Sequence, residues 1–156
     1  MKIGVVIVTY NRLEKLKIAL ESYEKQNSNP KYILVVNNNS NDGTKEYLEQ
    51  WKEENSNIEK LILNLDKNTG GSGGFYQGLK HSLELDSEWV WVADDDAYPQ
   101  EDAFEIAQKY IEKHKDSKEE LSAICGTVFK SDRTTIDCSH RRRIYTTAFN
   151  RIAQPY

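Results

Sequence analysis

An α/β domain with a mostly parallel sheet and helices on both faces is the fold class this sequence predicts. Three observations predict it. Short apolar runs alternate regularly with segments of helical period. The runs are hydrophobic throughout rather than at every second position, as strands buried on both faces are. Each of the first four ends in a polar or acidic turn that leads into a helix, the order expected of parallel strands joined by crossover helices.

The elements follow in turn. Ile3 to Val8 is a block rich in valine and isoleucine and reads as the first strand. Asn11 is placed to cap a helix with Leu13, Leu16, Ala19, Leu20 and Tyr23 on one face. Tyr32 to Val36 is a second buried strand, and the polar turn Asn37 to Gly43 precedes a helix marked by Tyr47, Leu48 and Trp51. Ile58 to Leu65 is a third strand, followed by a glycine-rich loop from Asn68 to Gly74. Phe75, Leu79 and Leu83 then recur at helical spacing, interrupted by Gly78. Trp89 to Ala93 is a fourth strand that runs directly into Asp94, Asp95 and Asp96. A helix over about 100–115, with Phe104, Ala107 and Ile111 inward, and a strand over 121–129 complete the pattern. Beyond Ser131 only weak strand signals remain.

A chain of 156 residues accommodates one domain with a single core. Its 38% hydrophobic and 29% charged residues are an ordinary soluble composition, and the formal charge of -4 excludes a field that attracts nucleic acid. Cys125 and Cys138 form neither a disulfide framework nor a metal-binding spacing, so both are expected to be reduced thiols. The opening apolar run is too short to span a bilayer and does not read as a signal peptide. A cytoplasmic location is expected, extending to peripheral association at the inner face of the membrane.

Ligands of such sheets bind beyond the carboxyl ends of the strands, which is where the unusual polar clusters lie. Three adjacent aspartates repel one another unless a cation or hydrogen-bond donors compensate them. Carboxylate oxygens suit Mg2+ or Mn2+, and a hydrated ion usually takes one or two of them beside phosphate oxygens. Alternate residues of an extended segment share a side, so Asp94 and Asp96 can face one ion together. The plainer reading is an acidic turn that caps the helix beginning near Pro99. Gly70 and Gly71 let a ligand approach the backbone, and the following helix offers free N–H groups to an anion. At the end of the first strand, Tyr10 can stack on a base and Arg12 can meet a phosphate, while Asn11 can hydrogen-bond a base or cap the helix. The Asn37 to Ser40 turn offers amides to a base edge, although asparagine-rich turns also arise from backbone geometry alone.

In order, Val5 to Arg12, Val35 to Thr44, Asn68 to Gly71 and Asp94 to Asp96 resemble the motifs of the family 2 inverting glycosyltransferases of GT-A fold. The resemblance covers roughly the first 130 residues. Gly70 to Phe75 and Trp89 to Trp91 before the aspartates are most similar to the galactofuranosyltransferase-like branch, with rhamnosyltransferase-like members close by. The resemblance implies that Thr9, Tyr10 and Arg12 line a nucleotide pocket, that Asn38 faces the base, and that Gly70 and Gly71 belong to the same site. Many members carry aspartate where Asn38 stands. It further implies Asp94 near the ribose or metal, Asp95 near the donor sugar, and Asp96 on a Mn2+ or Mg2+ ion that bridges the diphosphate of a UDP-sugar.

The family's general base, normally a carboxylate in the acceptor-binding half, is not identifiable. Asp132 and Asp137 sit in no recognisable motif, and His140 to Arg143 reads either as a grip on a lipid-linked diphosphate or as a solvated loop. Residues 1–99 are therefore expected to form the nucleotide-sugar half, and 100–156 the start of an incomplete acceptor half. Three functions are open: transfer of sugar to a saccharide or lipid-linked acceptor, a donor-binding module without turnover that is either a truncated fragment or a subunit completed by a partner chain or homo-oligomer, and a nucleotidyltransferase. The last is disfavoured because its glycine-rich loop typically follows the first strand, where this chain has Thr9 to Arg12.

Overall fold

A computed structural model of the chain describes residues 1–115, 121–130, 132 and 134–137, and the backbone of 142–147 and 150–155. Strand β1 (Ile3–Thr9) is buried along its whole length, the outcome for which an uninterrupted apolar run is suited. It is followed by α1 (Leu13–Glu24), β2 (Tyr32–Asn37), α2 (Thr44–Glu53), β3 (Glu59–Asn64), α3 (Gly70–Ser82), β4 (Trp89–Asp94) and α4 (Ala103–His114). The strands lie in the order β3-β2-β1-β4, and every pairing is parallel. This is the doubly covered α/β architecture that the alternating pattern predicts.

The pleat sorts the core into two layers. Val5 and Ile7 of β1, with Ile33 and Val35 of β2, pack beneath Leu16, Leu20 and Tyr23 of α1, Trp51 of α2 and Phe104 of α4. Val6, Val8, Leu34 and Val36 point to the opposite face, which α3 covers. Tyr23, Trp91 and Phe104 form an aromatic group, with ring centroids of Trp91 and Phe104 5.1 Å apart and Trp91 Nε1 donating to Tyr23 Oη at 3.1 Å. Such pairs stabilise beyond the area they bury.

Helix α3 departs from the expectation of a loop. It begins at Gly70, so most of the glycine-rich stretch is its first turn. Its inward face is Gly74, Gly78 and Ser82, whereas Leu79 and Leu83 are exposed. The reason is proximity: a Cβ on Gly74 would lie 2.6 Å from Val8 Cγ1, and one on Gly78 2.5 Å from Val6 Cγ1 and 2.9 Å from Val36 Cγ2. Glycine lets the helix rest directly on the β-branched surface of the sheet. Phe75 packs against the sheet as its spacing predicts, but Leu79 and Leu83 do not, because a hydrophobic pattern does not register a face made of missing side chains.

The chain divides into two compact units, Met1–Lys118 and Glu119–Tyr156, with α4 in the first. Within the second unit, 121–129 is not the expected strand. Its one described pairing is an antiparallel bridge between Phe129 and Ile136. Apolarity alone does not make a strand, which needs a hydrogen-bonding partner along its length. The weakly patterned end forms a hairpin of β5 (Arg142–Thr147) and β6 (Asn150–Pro155). Among the described residues no helix is long and apolar enough to cross a membrane.

The close seat of α3 makes a direct prediction. Alanine in a helix interior is ordinarily about 0.5–1 kcal/mol better than glycine. At Gly78 the overpacking against Val6 and Val36 should cost about 1–3 kcal/mol and reverse the sign. Thermal melts should show a lower Tm for Gly78→Ala, while Gly71→Ala, whose Cβ meets nothing within 4 Å, keeps or raises it. Equal melting of Gly78→Ala and the parent would mean that the helix–sheet contact yields freely.

Candidate functional site

Parallel register delivers the strand ends to one edge. Thr9 stands opposite Asn37, and Val8 opposite Asp94, so the residue after β4 reaches the end of β1. Thr9 Oγ1 donates to Asp95 Oδ2 at 2.8 Å, and both residues are buried. Arg12 Nη1 donates to Asp95 Oδ1 at 3.0 Å and to Asp96 Oδ2 at 2.8 Å. Lys15, one helical turn after Arg12, reaches Asp96 Oδ2 at 3.1 Å. The hydrogen bond and the charge of Asp95, with Asp96 beside it, raise the Arg12 pKa further above its already high value. Thr9, Arg12, Asp95 and Asp96 are thus joined directly to one another, pairings that the sequence reading did not foresee. Lys15 was missed by sequence reasoning, although its spacing of three from Arg12 places both cations on one helix face.

The three aspartates have different environments. Strand β4 ends at Asp94, and the chain turns there, with the Ala97 N–H donating to the Asp94 carbonyl at 3.2 Å. The expected extended segment through Asp96 is instead a turn in which Asp95 is buried while Asp94 and Asp96 are exposed. Among the described residues no lysine or arginine pairs with Asp94. Burial raises its pKa, and the neighbouring charges of Asp96 and Asp95 raise it further, against a smaller opposing effect of Arg12. Arg12 and Lys15 thus balance Asp95 and Asp96, and Asp94 has no such cation among the described residues. Among the described residues no three His, Cys, Asp or Glu side chains converge as a complete metal cage. Asp94 and Asp96 are exposed oxygen donors of the chemical type that a hydrated Mg2+ or Mn2+ accepts beside water and phosphate.

The loops around this cluster are tied to one another. Asn11 adopts a left-handed backbone with φ of 53°. Its N–H donates to Ser40 Oγ at 3.0 Å, and its Oδ1 accepts from the Asn41 N–H at 2.8 Å. Asn11 does not cap α1, because its carbonyl amide is engaged with the second loop. The capping acceptor is Asp42, whose Oδ2 takes the Leu13 N–H at 3.0 Å and whose Oδ1 takes the Thr44 N–H and hydroxyl. Burial pushes the Asp42 pKa up, yet the bonds from Thr44 and Leu13 outweigh it and leave the carboxylate below its ordinary range. Asp42 escaped the sequence reading because it serves a helix 29 residues away.

Asn38 is buried, and its amide is fully engaged. Oδ1 accepts from the Thr69 N–H at 2.9 Å and the Thr69 hydroxyl at 3.2 Å. Nδ2 donates to Asn68 Oδ1 at 3.1 Å and to the Gly70 carbonyl at 3.0 Å. Gly70 has φ of 72°, and both Gly70 and Gly71 have open space where a side chain would stand. Tyr10 is exposed at the same edge. In the second unit, Asp132 Oδ1 accepts the N–H groups of Thr134 and Thr135. Hydrogen bonds from Thr135, with Thr134, lower its pKa to about 2, so it is a poor proton acceptor near neutral pH. Cys125 is a free, exposed thiol. Cys138, His140 and Arg141 lie outside the described residues.

Comparison with known proteins places this geometry. The model of the family described as "Glycosyl transferase family 2" matches residues 4–155. The chain belongs to that family. It is 33% identical over 94 residues to a galactofuranosyltransferase, GlfT1, of Mycolicibacterium smegmatis, covering 60% of this chain and 30% of that protein. It is also 33% identical over 96 residues to GlfT1 of Mycobacterium tuberculosis, covering 62% of this chain and 31% of the relative. The chain thus spans about 30% of the length of the curated relatives it matches. Among solved structures, S. aureus TarS in complex with UDP-GlcNAc superposes with a TM-score of 0.63 at 23% identity, over 79% of this chain and 37% of that one. The mannosyltransferase PcManGT of Pyrobaculum calidifontis, in complex with GDP-Man and Mn2+, gives 0.62 at 24% identity over 70% and 32%. These likenesses establish the GT-A fold of this family 2 domain.

The charge crowding at Asp94 generates a stability prediction. A carboxylate whose folded pKa is raised is easier to accommodate protonated, so its ionisation removes stability as pH rises through that pKa. Asp94→Asn should therefore melt at or above the parent temperature at pH 7, and the difference should vanish near pH 3, where both side chains are neutral. A loss of stability at pH 7 would show that Asp94 is favourably paired instead.

Proposed function

We propose that this family 2 domain binds a UDP-linked sugar with Mn2+ or Mg2+ and directs the sugar, with inversion, to a saccharide or lipid-linked hydroxyl in polysaccharide assembly. The observation that carries the reading is the cluster of Thr9, Arg12, Asp95 and Asp96 beside Asp94, which no lysine or arginine among the described residues pairs with, at the carboxyl edge of a parallel sheet. The galactofuranosyltransferase relatives and the nucleotide and nucleotide-sugar complexes of the structural neighbours support it.

In this reading Asp94 and Asp96 would hold the cation, which supplies charge neutralisation for the departing nucleoside diphosphate. Arg12 and Lys15 already stand at this edge as counter-charges, and a diphosphate would offer them phosphate oxygens in place of Asp96. Asp95 keeps hold of Arg12 and Thr9 from beneath, so the guanidinium stays aimed along the edge. Tyr10 provides an exposed ring on which a base can stack. The open backbone at Gly70 and Gly71 admits the donor closely. The domain would work on cytoplasmic donor, at the membrane face where the acceptor is lipid-linked.

A second reading is favoured by one observation: Asp132, a described downstream carboxylate, is engaged within its own turn, its Oδ1 accepting the N–H groups of Thr134 and Thr135. On that reading these residues bind the donor, and a partner chain or further copy supplies the base. Losing a positioned base typically removes about 10²–10⁴-fold of rate.

Calorimetry of UDP with Mn2+, with Mg2+ and with chelator tests the proposal. Affinity should rise at least about tenfold, roughly 1.4 kcal/mol, when the metal is present. Asp96→Ala should remove most of that gain. Equal UDP affinity in chelator and in Mn2+ would rule out the metal role, and equal affinity for ADP and UDP would rule out a uridine pocket.

A further inference from the structure

The amide of Asn38 has two acceptor positions and two donor positions, and the structure fills all four. Thr69 supplies both hydrogen atoms to Oδ1, through its N–H and its hydroxyl. Asn68 Oδ1 and the Gly70 carbonyl take both hydrogen atoms of Nδ2. The partners fix the orientation of the amide: a backbone N–H needs the oxygen and a backbone carbonyl needs the nitrogen. The residue is 2% exposed, so its polar atoms have neither capacity nor surface to offer a base. Its own N–H donates to the Thr9 carbonyl at 2.9 Å, which anchors the clasp to the end of β1.

We infer that Asn38 is a positioning residue that holds Asn68 to Gly70 against the end of β2, and that it does not read the nucleotide base. The inference rests on the nucleotide-sugar reading above and refines it. What Asn38 sets is the place where the chain enters α3. Gly70 leaves the loop in a left-handed conformation, and α3 starts there with Gly71 facing open space. Any base or ribose that approaches this edge meets the 68–71 backbone in the position that Asn38 imposes. Aspartate at 38 would not substitute, since a carboxylate oxygen in place of Nδ2 would face the Gly70 carbonyl and Asn68 Oδ1, two acceptors, with no hydrogen between them.

Two measurements on Asn38→Ala and Asn38→Asp, each in the full chain, test this. The first is amide hydrogen exchange over 68–71, where the Thr69 N–H is protected by Asn38 in the parent. Exchange there should quicken in both variants while β1 and α2 amides are unchanged, which also shows that the variants fold. The second is the ratio of UDP to CDP affinity, because the two bases differ at the edge a side chain at 38 would read. Alanine should lower both affinities by a common factor, on the order of tenfold for a displaced loop, and leave their ratio as in the parent. A ratio that collapses towards unity in Asn38→Ala overturns the inference, since Asn38 would then be reading the base. Parent-like exchange in either variant overturns it too, because the clasp would not depend on that amide. Should the parent bind no nucleotide, the proposed function fails, and the exchange experiment by itself still decides whether Asn38 holds the loop.

Discussion

The parallel pairing of β1 with both of its neighbours is the constraint on which the site depends. It brings Thr9 against Asp95 across 86 residues of sequence and sets Asn37 and Asp94 beside the end of the same strand. Register leaves no freedom here, because a slip of one residue would turn every side chain of β1 to the opposite face. Val5 and Ile7 would exchange layers with Val6 and Val8, and the two cores are built of different partners. The hydrophobic layers thus fix the polar edge, though none of their residues lies in it.

Charge at that edge is only partly balanced. Arg12 and Lys15 compensate Asp95 and Asp96, and Asp94 is left with burial and two like charges raising its pKa. Asp95 differs in kind from its neighbours. A buried carboxylate is tolerable only when paired and hydrogen-bonded, and Thr9 and Arg12 meet that need together. The consequence is a fixed inner aspartate, two outward ones, and a guanidinium held between them. An arrangement that crowds like charge where solvent can enter is poor for stability, and perturbed groups of this kind cluster at functional sites.

Glycine and asparagine shape the rest of the edge by opposite means. Gly74 and Gly78 remove side chains so that α3 can approach the sheet. Asn11, Asn37, Asn38 and Asn68 add short amides that link one loop to the next, with Asn37 Nδ2 donating to Asn64 Oδ1 at 2.9 Å and its Oδ1 accepting the Ser40 N–H at 3.0 Å. Loops held this way present backbone in a defined place without a buried apolar anchor of their own.

The sequence by itself determined the order of elements, the parallel sheet and the family, because continuous apolar runs and a fixed succession of motifs are local properties. Ile3 to Thr9 and Tyr32 to Asn37 are buried throughout, as their composition requires. It also singled out Thr9, Tyr10, Arg12, Asn38, Gly70, Gly71 and the three aspartates as candidates for one site. Only the tertiary structure decided what each does there. That Asp95 turns inward, that Asp42 caps α1 from another loop, that Asn38 is saturated by Thr69 and Gly70, and that α3 buries glycines all depend on partners distant in sequence. The apolar run 121–129 failed as a strand for the same reason. Periodicity reports which residues avoid water, whereas hydrogen bonds and close contacts depend on what the fold sets opposite them.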